Sequence, residues 1–80
     1  MWYVYLLESD GAAGQRYVGI TSDLRRRVAE HNSGKSSHTS KFMPWRLVTY
    51  VAFSDERKAG EFELYLKSGS GHAFANKRFW

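Results

Sequence analysis

Residues 2–20 read WYVYLLESDGAAGQRYVGI, and this stretch decides the architecture. Trp2 to Glu8 is a β-branched and aromatic run without a polar face, which predicts a strand buried on both sides. Ser9 to Gln15 contains Asp10-Gly11 and a second glycine at position 14, the chemistry of a turn between antiparallel strands. Arg16 to Ile20 (RYVGI) resumes the strand pattern. Gly19 within it marks a bulge or a place where something approaches the backbone closely.

The pattern then changes period. Thr21 or Ser22 is placed to cap a helix, with Asp23 in its first turn, and the helix runs to about Asn32 before Ser33-Gly34 end it. Lys35 to Pro44 (KSSHTSKFMP) is polar, basic and aperiodic, and reads as a loop. Pro44 confines the next strand to Trp45–Phe53. Ser54 is the expected cap of a second helix, with Asp55 and Glu56 in its first turn. That helix reaches Lys67 or Ser68 and stops at Gly69-Ser70-Gly71, and a short third helix covers His72 to Arg78. The order β-β-α-β-α-α predicts an α+β domain, a three-stranded and mainly antiparallel sheet flanked by helices, over residues 1–80.

Eighty residues fit one domain with a thin core, and three Trp, five Tyr and five Phe supply much of its apolar area. Twelve Lys and Arg against eight Asp and Glu leave a formal charge of +4, which suits a polyanionic partner without identifying one. With no Cys, a disulfide framework and a thiolate metal site are excluded, which fits a reducing cytoplasm. No apolar run is long enough to span a membrane. Met1-Trp2 leads straight into strand, so no signal peptide and no membrane partner are expected.

The helices carry the informative departures. Leu24, Arg27, Val28 and His31 form one i, i+3, i+4, i+7 stripe, in which Leu24 and Val28 face the core. Arg27 and His31 stand one turn apart along it. Arg26 and Glu30, on the wet side, are spaced to pair. Ala59, Phe62, Glu63 and Leu66 repeat the stripe in the second helix, with Glu63 as its one charge. A carboxylate in that position costs several kcal/mol of desolvation unless a cation or hydrogen bonds compensate. An Arg27–Glu63 ion pair with a merely structural His31 is the plain alternative to a functional cluster. On the strands, Tyr3, Tyr5 and Leu7 share a face, as do Tyr17 and Gly19. A turn that brings Tyr5 near Tyr17 sets both hydroxyls beside Gly19, where Arg27, His31 and Glu63 are the available polar partners.

These residues resemble a known family. Tyr3-Val4-Tyr5 followed by Leu6-Leu7 looks like the first signature strand of GIY-YIG endonucleases, with Tyr3 standing in place of the usual glycine. Tyr17-Val18-Gly19 is similar to the second signature. Arg27, His31 and Glu63 match the family's arginine, the histidine one turn later and the metal-holding glutamate of a later helix. His38-Thr39 resembles a further His or Tyr, Leu66 to Phe74 resembles the small single-domain bacterial members, and Asn76 lies where several members carry a late asparagine.

The resemblance implies a divalent-metal-dependent phosphodiester hydrolase, an endonuclease of DNA repair or processing. A single Mg²⁺ or Mn²⁺ would sit on Glu63, with Arg27 on the phosphate oxygens, Tyr5 or Tyr17 as base and His31 as relay. Asp23, Asp55 and Glu56 lie at helix starts and Glu8 and Asp10 flank a turn, so one ion is favoured over two. Arg25, Arg26, Lys35, His38, Lys41 and Arg46 are candidates for contact with flanking nucleic acid, with DNA ahead of RNA. A homodimer or a protein partner stays open, and a non-catalytic nucleic-acid-binding module of the same fold is the rival reading.

Overall fold

In the computed structural model, which describes residues 1–80, the chain forms three strands and three helices in the expected order. Strands β1 (Trp2–Ser9), β2 (Arg16–Thr21) and β3 (Trp45–Phe53) build one sheet, with helices α1 (Leu24–Asn32), α2 (Glu56–Lys67) and α3 (Gly69–Arg78) around it. The strand order is β2-β1-β3 and both pairings are antiparallel, so the sheet is wholly antiparallel.

Strand β1 is central, which explains its unbroken apolar character. Val4 and Leu6 pack against Ala59 and Leu66 of α2 and Ala75 of α3, while Tyr5 and Leu7 on the opposite face join Trp45, Tyr17, Leu24 and Val28. Each such buried aliphatic side chain contributes about 1.5–3 kcal/mol, so a domain this small depends on both faces. The register sets Tyr5 opposite Gly19 and Leu7 opposite Tyr17. On the other flank, Leu6 pairs with Thr49 and Leu7 with Leu47, so Val48 is the extra residue of a bulge that bends β3.

Ser9 organises the β1–β2 turn. Its hydroxyl accepts from the amides of Gly11 (3.1 Å) and Ala12 (2.9 Å) and donates to the Phe42 carbonyl (2.6 Å). Gly14 takes a φ of 81°, in the left-handed region. The connection from α1 to β3 includes one 3₁₀ turn, Ser40–Phe42.

Three helix boundaries differ from expectation. Asp23 caps α1, its carboxylate accepting from the Arg26 amide at 3.1 Å, while the Thr21 hydroxyl accepts from the Asp23 amide instead. Asp55 rather than Ser54 caps α2, accepting from the Arg57 amide at 2.9 Å. A carboxylate adds favourable charge to the hydrogen bond at a helix start, an advantage a serine lacks. Helix α3 begins at Gly69, three residues before the expected start, because Ser68 ends one helix and starts the next. Its amide donates to the Tyr65 carbonyl at 3.0 Å, and its hydroxyl accepts from the Gly71 amide at 3.3 Å.

The glycines therefore serve an elbow, and Gly71 is there for space. A Cβ on it would collide with the Tyr65 carbonyl oxygen, whereas one on Gly60, mid-helix in α2, would meet nothing within 4 Å. Gly71→Ala is expected to destabilise by about 3 kcal/mol and to lower Tm by more than about 10 °C. Gly60→Ala is expected to stabilise by about 0.5–1 kcal/mol through helix propensity. Thermal melts of the two variants check the elbow packing.

Candidate active site on the tyrosine face of the sheet

The α1 face of the sheet gathers the polar residues that periodicity left on apolar stripes. Tyr5, at the centre of β1, is 1% exposed. Its hydroxyl lies 2.8 Å from His31 Nε2, and His31 Nδ1 lies 2.7 Å from the Thr39 hydroxyl. Trp45 Nε1 donates to the Thr39 carbonyl at 2.9 Å. This buried chain satisfies every member, and no buried side-chain polar atom in the protein lacks a partner. Asn32 fixes the end of α1 to β3, accepting from the Trp45 amide at 2.5 Å and donating to its carbonyl at 2.9 Å. That clamp holds His31 in place one residue earlier.

Gly19 makes room for this arrangement. A Cβ there would lie 2.5 Å from the Tyr5 hydroxyl oxygen and 2.9 Å from Tyr17 Cε2. The close approach expected at Gly19 is thus made by the protein's own tyrosine. Tyr17 is half-buried beside the chain, its ring centroid 4.9 Å from that of His31, 6.1 Å from Tyr5 and 6.1 Å from the exposed His38.

Electrostatics follows from burial. Desolvation pushes the Tyr5 phenol up to about 12, partly offset by the Arg27 guanidinium beside its hydroxyl. Burial, then the positive charge of Arg27, holds His31 below its ordinary value of 6.5, so the imidazole is neutral at pH 7. Arg27 donates to Glu30 Oε1 at 2.9 Å, and its side chain is 35% exposed. Glu30 first and Tyr5 second raise its already high pKa.

Glu63 is placed differently. The Arg27–Glu63 pair does not form, since Arg27 bonds Glu30 on its own helix. Glu63, 15% exposed at its side chain, pairs with Lys67 one turn later on α2. Helix α2 lies on the far face of the sheet from α1, and the two faces communicate over the edge strand β2. A cleft of about 380 Å³ runs there, lined by Arg16, Tyr17, His38, Lys67, His72 and Trp80 among others. Tyr17 and the partner of Glu63 therefore share one opening.

The basic candidates divide. Arg25, Lys35 and Lys41 are exposed and take no ion-pair partner, whereas Arg26 reaches Glu30 at 3.4 Å as its spacing predicts. Arg46 bonds Glu8 at 3.1 Å and Asp10 at 3.2 Å, so its charge is compensated within the sheet end and the turn. Asn76 accepts from Arg16 at 3.0 Å, and Arg16 also pairs with Glu8 and lies 4.6 Å over the Trp80 ring. Thr39 and Asn32 were not singled out by any periodic signal. The Glu63–Lys67 pairing was legible as an i, i+4 spacing on a helix.

As a metal position, Glu63 offers one carboxylate, and no group of three His, Cys, Asp or Glu side chains converges anywhere in the chain. That donor set fits Mg²⁺ or Mn²⁺, which accept one or two carboxylates and fill the remaining positions with water and phosphate oxygens. The nearly buried carboxylate already has a cation on it, the Lys67 ammonium, which shows that the position suits positive charge.

The GIY-YIG catalytic domain model matches residues 1–77. A UPF0213 protein of Cupriavidus pinatubonensis is 43% identical over 67 residues, spanning 82% of this chain and 72% of that protein. A protein of Giardia intestinalis named as a structure-specific endonuclease subunit SLX1 homolog is 35% identical over 65 residues, 76% of this chain but 18% of that one. Among solved structures, the solution NMR structure of a UPF0213 protein from Bacillus halodurans superposes with a TM-score of 0.58 at 33% identity, covering 99% of this chain and 87% of that one.

The pairing and burial yield two expectations. Glu63→Gln breaks a half-exposed ion pair and is expected to cost about 1 kcal/mol or less, where an Arg27-bonded buried carboxylate would have cost roughly 3–5 kcal/mol; a thermal melt reads the difference. For His31, the folded value lies below the unfolded one, so its contribution to stability is complete above pH 6.5 and is lost as pH falls from there toward the folded value. The slope is up to about 1.4 kcal/mol per pH unit. Histidine NMR titration checks this directly, and a His31 midpoint above 6.5 contradicts it.

Proposed function

The chain belongs to the GIY-YIG family of nuclease domains, and from that membership we propose that it is an endonuclease hydrolysing nucleic-acid phosphodiesters with one divalent ion at Glu63. The observation that carries this reading is the buried Tyr5–His31–Thr39 chain with Arg27 at its head and the half-buried Tyr17 at its open side. A structural network has no need of a guanidinium 35% exposed at one end. Phosphoryl transfer does need it, because a planar fork matches two non-bridging oxygens.

The roles divide by exposure. Arg27 binds the phosphate and stabilises its developing charge. Tyr17 faces the cleft, orients the attacking water and takes its proton. Tyr5 is the poorer base, since burial pushes its phenol up to about 12 and His31 engages its hydroxyl. Held by the neutral His31, it positions Tyr17 and Arg27. Bound at Glu63, Mg²⁺ or Mn²⁺ supplies charge neutralisation on the phosphoryl oxygens. His38 lines the opening, and the exposed Arg25, Lys35 and Lys41 are the candidates for flanking phosphates beyond it, with DNA favoured over RNA. The Giardia protein is by name a structure-specific endonuclease subunit homolog, which supports a substrate chosen by its structure and a protein partner; a role in DNA processing or repair is part of the proposal.

The test is cleavage of single-stranded, duplex, flapped and branched DNA and RNA in Mg²⁺ or Mn²⁺. Glu63→Ala and Arg27→Ala are expected to abolish cleavage. Tyr17→Phe is expected to lose at least about 100-fold in rate, and Tyr5→Phe less than Tyr17→Phe. A wild-type protein that cuts no member of the panel, yet binds nucleic acid in a salt-dependent way, is a binding module of the same fold.

A further inference from the structure

The Lys67 side chain is 51% exposed yet rests on Glu63, the one carboxylate on the apolar stripe of α2. It also lines the β2-edge cleft together with Tyr17, His38 and His72. No other basic residue in that cleft is comparably placed to change partner. Arg16 is held by Glu8, Asn76 and the Trp80 ring.

We infer that Lys67 is the resident counter-cation of Glu63, displaced by the divalent ion and delivered on displacement to a substrate phosphate in the β2-edge cleft. The inference rests on the metal reading above and assigns a positioning role to a residue outside the signature strands. Its basis is charge. A 15% exposed carboxylate in an apolar stripe needs a cation, and the ammonium supplies one. A divalent ion on the same oxygens satisfies that need and repels the ammonium, because the two cannot share a carboxylate without close like-charge contact. Lysine suits the exchange better than arginine, being a point charge on a flexible four-carbon stem with no fixed fork to break. Once released, it has only to swing within the opening it already lines. Metal loading and phosphate binding are thereby coupled: without the ion, the cleft's mobile cation is tied up on Glu63.

The experiment measures Mn²⁺ binding to the full chain at low ionic strength by electron paramagnetic resonance, for wild type, Lys67→Met, Lys67→Gln and Glu63→Gln. Removing the competitor is expected to tighten Mn²⁺ binding about fivefold in both Lys67 variants, the ratio set by an ion pair at the strong end of the exposed range. Glu63→Gln is expected to lose the binding. In Ca²⁺ with a short single-stranded oligodeoxynucleotide, the log–log salt slope of binding is expected to fall by about one in Lys67→Met. Unchanged Mn²⁺ affinity in both Lys67 variants, with binding lost in Glu63→Gln, overturns the inference and leaves the metal reading standing. Equal Mn²⁺ binding by wild type and Glu63→Gln overturns both. An unchanged salt slope overturns the delivery to phosphate.

Discussion

The hydrogen bond between the Tyr5 hydroxyl and His31 Nε2, closed off by Thr39, is the interaction on which the rest of this domain is arranged. Polar groups at the centre of an 80-residue protein are tolerable only when fully satisfied, since each orphaned one costs about 1–3 kcal/mol against a small total stability. The sheet register complies by setting Gly19 opposite Tyr5, where any side chain would overlap the phenol. Helix α1 complies by presenting His31 inward, and the Asn32–Trp45 clamp pins its end to β3. The loop before β3 complies by delivering Thr39, whose carbonyl is held by the Trp45 indole.

Charge is distributed around that centre with equal economy. Glu8 and Asp10 take up Arg46, and Glu8 and Asn76 take up Arg16, which ties the end of the sheet to α3. Glu30 steadies Arg27 without enclosing it, so the guanidinium stays charged and accessible. The sheet separates Arg27 on one face from Glu63 on the other, and the edge strand β2 carries Tyr17 between them.

Much of the fold was legible because its signals are local. The aromatic run at residues 2–8 and the bounded strand at 45–53 matched the structure closely, since strand burial and proline placement act over neighbouring residues. The helix starts were less legible. Thr21, Ser22 and Ser54 are acceptable caps by composition, and Asp23 and Asp55 outcompeted them by offering a charged acceptor. The third helix was shortened in the reading because Gly69-Ser70-Gly71 resembles a stop. Gly71 was needed instead for close contact between α2 and α3, a tertiary demand invisible in local propensity.

The sequence by itself determined the order of elements, the two-faced burial of β1, and that Tyr5, Arg27, His31 and Glu63 stand where apolar residues belong. It did so because each of these follows from spacing along one strand or one helix. Only the tertiary structure decided the bonds between elements. Arg27–Glu30 and Glu63–Lys67 lie within single helices at readable spacings, but that Arg27 and Glu63 do not meet, and that His31 bonds Tyr5 of a strand and Thr39 of a loop without periodicity, depended on where the helices sit. Ion pairs and hydrogen bonds operate over a few ångströms, so partners on different elements are chosen by how the helices seat on opposite faces of the sheet, and no periodicity within a single element carries that information.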